Sequence, residues 1–382
     1  MEYVKLKEIA SIVTGGTPST SKKEYWENGT IPWLQSGCCQ NCNVNSSSSF
    51  ITQEGYDNSV TKLMPKDTIL IALTGATAGK VGYLTFEACG NQSITGITLN
   101  EDNLPKFLFY YLLYLRPKIL RDCVGGAQPH ISQGYVKEID YPSLSKNKQQ
   151  EIVSILGAIN NIIDADKKQL ELLDEAVKSR FIEMFGECDN KIRLEELSTL
   201  ITKGASPKWQ GIEYVDDGVL FVTSENVREG FIDISNPKYL EEKVNIKQPR
   251  SILKRGDVLI NIVGASIGRA AIYDYDLLAN INQAVSLVRP NDKVNIKYLI
   301  TFLNSENAMM QYKNNAKGGA RDNLSLKNIS DLIIPFPDMI KQNEFASFVE
   351  IIDKSKFNVQ QHLNLMQELL DKKMDEFFGG KE

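Results

Sequence analysis

Apolar residues recur at spacings of three and four along one stretch of the chain: Ile152, Ile155, Leu156, Ile159, Leu170, Leu173, Val177, Phe181 and Met184. The pattern returns 193 residues later as Phe345, Phe348, Val349, Ile352, Leu363, Met366, Leu370, Met374 and Phe377. Every position is apolar in both copies. This periodicity predicts two long amphipathic helices, each with one face set aside for a helix–helix seam. Ser145 and Asp338 suit the N-caps, and Gly186 and Gly379-Gly380 suit the stops. About 40 residues of helix would run roughly 60 Å, long for a helix of an ordinary globular core. The constant offset also has a cause. One inserted residue in a packed helix would rotate its apolar face by about 100°.

The repeat extends beyond the helices. Val4–Ile9 resembles Ile192–Leu197, Pro18 matches Pro207, and Ser36 matches Ser224. Gly75-Ala76-Thr77-Ala78-Gly79-Lys80 matches Gly264-Ala265-Ser266-Ile267-Gly268-Arg269, and Asn91-Gln92 matches Asn282-Gln283. Gly125-Gly126-Ala127 matches Gly318-Gly319-Ala320, Pro142 matches Pro335, Gln149 matches Gln342, and Phe185-Gly186 matches Phe378-Gly379. The apolar runs 68–73 and 258–263 each end in a glycine loop and read as strands. Residues 107–113 read as a buried helix with Pro105 in its first turn, and 295–300 as its counterpart. The organisation is therefore a mixed α/β module over 1–145, a helix over 146–187, a second module over 188–337 and a second helix over 338–382. Chemistry has to be sought in the loops of those modules.

The loop 75–81 approaches a phosphate-binding loop without matching it. Three residues separate its glycines where four are needed, and Val81 stands where Ser or Thr would hold magnesium. A tight glycine turn presenting backbone N–H groups and one cation (Lys80, or Arg269 in the second copy) suits a phosphodiester backbone. Cys38, Cys39 and Cys42 lack a paired fourth ligand, and the second module has only Cys188, so free thiols are expected rather than zinc. His130 has Asn323 as its copy, and Asn cannot act as a general base. No nucleophile elbow, His-Glu-x-x-His or aligned carboxylate pair is present, so no catalytic residues are assigned.

The polar loop residues form a different constellation. Thr17, Ser19, Thr20, Lys22, Lys23 and Tyr25 crowd one Gly/Pro turn, with Lys203, Ser206, Lys208 and Trp209 in the copy. Hydroxyls and lysines position on phosphates, whereas Asn, Gln and Arg read base edges. Further candidate DNA contacts, the Asn, Gln and Arg among them as readers, are Gln35, Ser36, Thr77, Gln92, Gln128, Gln133 and His130 in the first module. In the second they are Ser224, Asn226, Ser266, Gln283, Arg321 and Asn323.

The stretch Thr14–Gly37, TGGTPSTSKKEYWENGTIPWLQSG, resembles the opening of a target-recognition domain in the DNA-specificity subunit of type I restriction-modification enzymes. TKGASPKW (Thr202–Trp209) and GVLFVTSENV (Gly218–Val227) form the degenerate second copy. Each module ends in a Pro-containing strand and a Gln/Glu helix start, as Tyr141–Leu144 with Gln149–Ile152 and Pro335–Pro337 with Gln342–Phe345. One departure is read at Lys203, taken to replace a glycine of the first turn. The resemblance covers the whole chain. It implies an α/β fold of two tandem target-recognition domains separated by two long antiparallel coiled-coil helices, in a pseudo-twofold repeat. Each domain would read one half of an asymmetric bipartite site in double-stranded DNA, with the helices as a ruler. Half-sites one duplex turn apart lie roughly 34–36 Å apart, within reach of such helices. Two modification subunits would bring S-adenosylmethionine for adenine methylation. Restriction subunits would add ATP- and magnesium-dependent translocation and cleavage. The specificity subunit itself would be non-catalytic and cytoplasmic. Rival readings are a type IIB or IIG-like modification system and a coiled-coil scaffold whose modules bind proteins.

Charge sharpens that picture. The chain of 382 residues has 43 basic and 48 acidic side chains, a formal charge of −5, where nucleic-acid binders are usually basic. The helical segments 146–187 and 338–382 carry −2 and −3, and the two modules carry −1 and +1. The acidity therefore belongs to the helices and leaves the modules neutral. No apolar run of about 18 residues is present, so no membrane span is expected. Six cysteines without an export signal point to reduced thiols.

Overall fold

The computed structural model describes residues 2–123, 130–316 and 323–380. Gln128, Arg321 and the paired Gly-Gly-Ala segments lie outside the described residues. The chain divides into two compact units, Met1–Lys167 with Gln361–Glu382, and Lys168–Gln360. Two 40-residue helices, Lys146–Phe185 and Met339–Phe378, each contribute to both units.

In the first unit, a five-stranded sheet runs in the order Ala10–Thr14, Ile94–Leu99, Ile69–Ala72, Val81–Leu84, Cys42–Val44. A four-stranded sheet has the order Ser49–Ile51, Ile31–Leu34, Ala88–Gly90, Leu63–Met64. Within it Trp33 and Leu34 pair in parallel with Cys89 and Gly90. The first strand, Tyr3–Lys5, pairs antiparallel with Asp140–Pro142, immediately before the long helix. Helix Pro105–Asp122 has Pro at its first position and buries Phe107, Leu108 and Tyr111. These pack with Ile152, Leu156, Ile159 and Ile163 of one long helix and Leu370, Met374 and Phe378 of the other. The Phe378 ring meets Phe107 edge-on, with centroids 5.5 Å apart, and Tyr111 at 5.3 Å.

The second unit repeats this plan. One sheet has the order Ser198–Lys203, Val285–Pro290, Val258–Asn261, Ala270–Ile272. The other has the order Tyr214–Val215, Tyr239–Leu240, Val219–Val222, Ala279–Ile281, again with a parallel pair, Leu220–Val222 with Ala279–Ile281. Lys191–Arg193 pairs with Ile333–Pro335 and closes the module ahead of its helix. Here Phe181 and Phe185 of the first long helix pack against Tyr298 of helix Ile296–Leu303, and Phe345 of the second packs against both phenylalanines. The roles of the matched phenylalanines are thus reciprocal. Phe378 seats against the first module, and its copy Phe185 seats against the second.

The long helices begin as their sequences direct. Ser145 Oγ accepts from the Lys148 N–H at 3.4 Å, and Asp338 Oδ1 from the Lys341 N–H at 2.9 Å. One turn on, Gln149 and Gln342 are fully buried. Gln149 Oε1 accepts from the Leu104 N–H (2.8 Å), and Gln342 Oε1 from the Asn295 N–H (2.9 Å). Each glutamine supplies an acceptor to a backbone donor at the start of its module's own helix, which locks module to spacer. On the inward faces Ile152, Ile159, Phe345, Ile352 and Leu370 are buried, and Ile155, Leu170, Leu173, Val177, Phe348, Leu363 and Met366 half-buried. Within the first unit Asp166 Oδ2 lies 2.7 Å from His362 Nδ1. Within the second, Lys356 donates to Asp174 at 2.5 Å and Arg180 to Glu344 at 3.0 Å. The helices run antiparallel in each unit.

Candidate nucleic-acid interface

Backbone hydrogen bonds gather five segments of the first module at one end of its sheets. Gly16 N–H donates to the Gly90 carbonyl (2.8 Å) and Asn91 N–H to Leu34 (2.9 Å). Leu73 N–H donates to Ser93 (2.8 Å) and Ile131 N–H to Leu73 (2.9 Å). Thr17, Gln35, Ser36, Gln92, Thr77 and His130 therefore share one rim. His130 bridges directly to Thr74. The second module keeps three of these links. Asn282 N–H donates to Val222 (3.1 Å), Ile262 to Ala284 (2.9 Å) and Leu324 to Ile262 (2.9 Å), while Asn323 bridges to Val263. Ser224, Gln283, Ser266 and Asn323 are assembled in the same way.

The turn closest to the sheets depends on a glycine in both modules. A Cβ at Gly15 would overlap the Gly90 carbonyl oxygen, and one at Gly204 would overlap that of Ile281. This corrects the reading of Lys203. Lys203 ends a strand and pairs with Ser286, as Thr14 pairs with Thr95. The glycine of close approach is kept at Gly204, and the position of Gly16 is taken by Ala205. The buried Gln248 answers that change, its Oε1 accepting from the Ala205 N–H at 2.9 Å.

The glycine loops are one-turn 3-10 segments, Gly75–Thr77 and Gly264–Ser266. Gly75, Gly79, Gly264 and Gly268 have φ of 72°, 71°, 79° and 87°, a region that glycine occupies without strain. Lys80 Nζ donates to Gln40 Oε1 (2.7 Å), whereas Arg269 is exposed. Thr17 Oγ1 donates to Gln92 Oε1 at 2.5 Å. Ser19, Thr20, Lys22 and Lys23 are exposed, while Tyr25 is buried. Lys22 Nζ donates to the Tyr25 hydroxyl (2.8 Å), and this bond holds the ammonium above its usual pKa.

Two other candidates, Asn226 and Gln133, are structural supports. Asn226 Oδ1 accepts from the Thr223 N–H (2.8 Å) and hydroxyl (3.0 Å), and its Nδ2 donates to the Asp233 carbonyl (2.9 Å). Its amide is occupied in shaping the loop. Gln133 Nε2 donates to the Ile12 carbonyl at 3.2 Å. Lys208 and Trp209 sit on a turn closed by Gly211 at φ 63°, beside the half-buried Ser206. Trp209 is 91% exposed.

Cys38, Cys39, Cys42, Cys89, Cys123 and Cys188 are free thiols. A hydrogen bond with Cys39 lowers the Cys38 pKa, and the same contact, with burial, raises that of Cys39 well above the thiol range. Among the described residues no three His, Cys, Asp or Glu side chains converge as a metal would require. No helix there is long and apolar enough to cross a membrane.

One α/β module built twice, each copy with a rim of hydroxyls, amides and cations, defines a duplicated polar-loop binding protein. A family model described as the type I restriction modification DNA specificity domain matches residues 1–175 and again 191–366. The EcoR124I/EcoR124II specificity subunit of Escherichia coli is 32% identical over 181 residues, 45% of this chain and 45% of that one. The MjaIX specificity subunit of Methanocaldococcus jannaschii is 25% identical, over 96% of this chain and 90% of its own. Among solved structures, the S subunit of a type I restriction-modification system from M. genitalium superposes with a TM-score of 0.57 at 16% identity. That match covers 100% of this chain and 96% of the other. A chain from a study of type I system assembly and conformational transition reaches 0.61 at 15% identity, over 99% and 97%. These two likenesses concern the fold. The chain belongs to the type I restriction-modification DNA-specificity family, and its function is DNA-target recognition in such a system.

Proposed function

We propose that each module reads one half of an asymmetric bipartite site in duplex DNA, and that the chain is the non-catalytic subunit of a modification complex. The observation that carries this is the twice-built rim, with one backbone frame and different side chains. The rims share a glutamine, Gln92 and Gln283, but His130 stands where the other has Asn323, and Lys80, bonded to Gln40, where the other has the exposed Arg269. The two halves of the target therefore differ.

The four-part organisation, with modules over 1–145 and 188–337 and spacers over 146–187 and 338–382, assigns an antiparallel coiled-coil spacer to the helices. Their outer faces carry Ile162, Leu365 and Leu369 in the first unit, and Leu172, Ile182, Ile351 and Phe357 in the second, all exposed. Exposed apolar side chains on an acidic helix suit a protein partner rather than DNA. Two modification subunits dock there in this reading. They supply S-adenosylmethionine and the catalytic groups for adenine methylation, and restriction subunits add ATP- and magnesium-dependent cleavage. Because the modules are nearly neutral, partner cations complete the affinity for DNA.

Mapping methylated adenines in host DNA with and without this gene tests the reading. One bipartite motif should disappear with the gene. The purified chain should not methylate, and should bind duplex DNA weakly where the assembled complex binds tightly. An unchanged methylation map, or methylation by the chain alone, contradicts it.

A further inference from the structure

Asn261 ends an otherwise apolar strand, Val258–Asn261, and is fully buried. Its Nδ2 donates both to the Ser224 carbonyl (3.0 Å) and to Ser266 Oγ (3.0 Å). These acceptors belong to two different loops of the second rim. Asn261 Oδ1 is buried and finds no partner among the described residues. Leaving an acceptor unmet costs stability, so the side chain is not explained by packing.

The first module shows what the frame does without it. Ala72 occupies the equivalent place. Its N–H donates to Lys80 (2.9 Å) and its carbonyl accepts from Gly79 (2.9 Å), as Asn261 does with Arg269 (2.9 Å) and Gly268 (2.9 Å). With no amide to meet, the Thr77 hydroxyl turns back to its own loop and donates to the Thr74 carbonyl at 3.3 Å. The Ala72 strand pairs with the same two neighbouring strands and closes the same glycine turn, so the fold does not require an amide here.

We infer that Asn261 is a positioning residue for specificity, tying the Ser224 loop to the glycine loop so that both meet the DNA in one fixed arrangement. This rests on the reading of the rims as DNA-reading surfaces. Donors held to a fraction of an ångström discriminate bases better than donors on independent loops. Only the second half-site gains from the tie, since the first rim lacks it. The orphaned Oδ1 is the stability given up for that arrangement.

The test uses the complex of this chain with its modification subunits, carrying Asn261→Ala, Ser266→Ala or both. Methylated adenines are mapped across host DNA, and exchange of residues 188–337 identifies the second half-site. N261A should raise methylation at sites with one changed base in the second half-site roughly tenfold, with the first half-site unaffected. The melting temperature should hold or rise. S266A should give part of the effect, and the double variant little more than N261A, because both remove one tie. Relaxation of both half-sites together, or a melting temperature lowered in step with the loss, would assign Asn261 a general structural role. Unchanged motifs in both variants would overturn the inference. Should N261A fail to fold, fold necessity is shown and the inference is again overturned, unless folded S266A relaxes the second half-site alone. A wild-type complex with no bipartite motif would instead refute the DNA-reading function itself.

Discussion

The two modules share a core of paired strands and glycine turns and fill it differently. Thr68 and Thr98 share a hydroxyl hydrogen bond of 2.9 Å in the first module. At the matching place in the second, Arg289 makes two bonds to the buried Asp257, at 2.7 and 2.8 Å. Trp26 packs edge-on against Trp33, with centroids 4.9 Å apart, and donates to the Ser19 carbonyl (3.1 Å). Trp209, near the matching turn, stands in solvent. Gly16 gives way to Ala205 with Gln248 behind it, and Ala72 to Asn261. The sheet register and glycine turns hold the frame, so the side chains on it are free to diverge. That freedom is what two different half-sites require.

The reciprocal phenylalanines give the largest expected effect. Phe378→Ala should destabilise the first unit by about 3–5 kcal/mol, and Phe185→Ala the second by a similar amount. Hydrogen exchange on the full chain would show whether each loss is confined to its own unit. Protection lost equally everywhere would break the pairing of each helix tail with one module.

Arg289→Ala leaves a buried carboxylate unpaired and should cost about 3–4 kcal/mol, read by chemical denaturation. Thr68→Val in the first module should cost about 1 kcal/mol. Equal costs would mean that the ion pair is no more than a substitute for the hydroxyl pair. The Asp257 contact already holds the Arg289 guanidinium above its usual range, as a close buried pair should.

The tryptophans separate folding from binding. Trp209→Ala should leave the melting temperature unchanged and weaken binding of target DNA by the complex about tenfold, the range of one lost stacking contact. Trp26→Ala should do the reverse, lowering stability with little change in affinity beyond that. A destabilised W209A would place the indole in the fold rather than at the DNA.

Much of the framework was legible in the sequence. The helices were readable because packing against a seam enforces a period, and Ser145 and Asp338 because a capping side chain sits at a fixed offset. The rims were less so. Their residues come from several separate loops, joined by strand register that no periodicity encodes. Matching Thr202-Lys203-Gly204 to Thr14-Gly15-Gly16 sets Lys203 on a glycine, whereas the offset of Pro18 to Pro207 sets it on Thr14, as the strand pairing does. Asn226 looked like a base reader because its amide chemistry is the same whether it faces DNA or its own loop. Gln149 and Gln342 were visible as a repeat, but their partners at residues 104 and 295 are distant in sequence. Asn261 carried a signal, a lone amide within Val258-Leu259-Ile260-Asn261-Ile262-Val263, which marks a buried polar group needing a partner.

The central claim is that the modules read DNA independently. Replacing residues 1–145 with the corresponding module of another family member and mapping methylated adenines tests it most directly. One half of the bipartite motif should change, with the other half kept. A change in both halves, or in neither, would contradict the account.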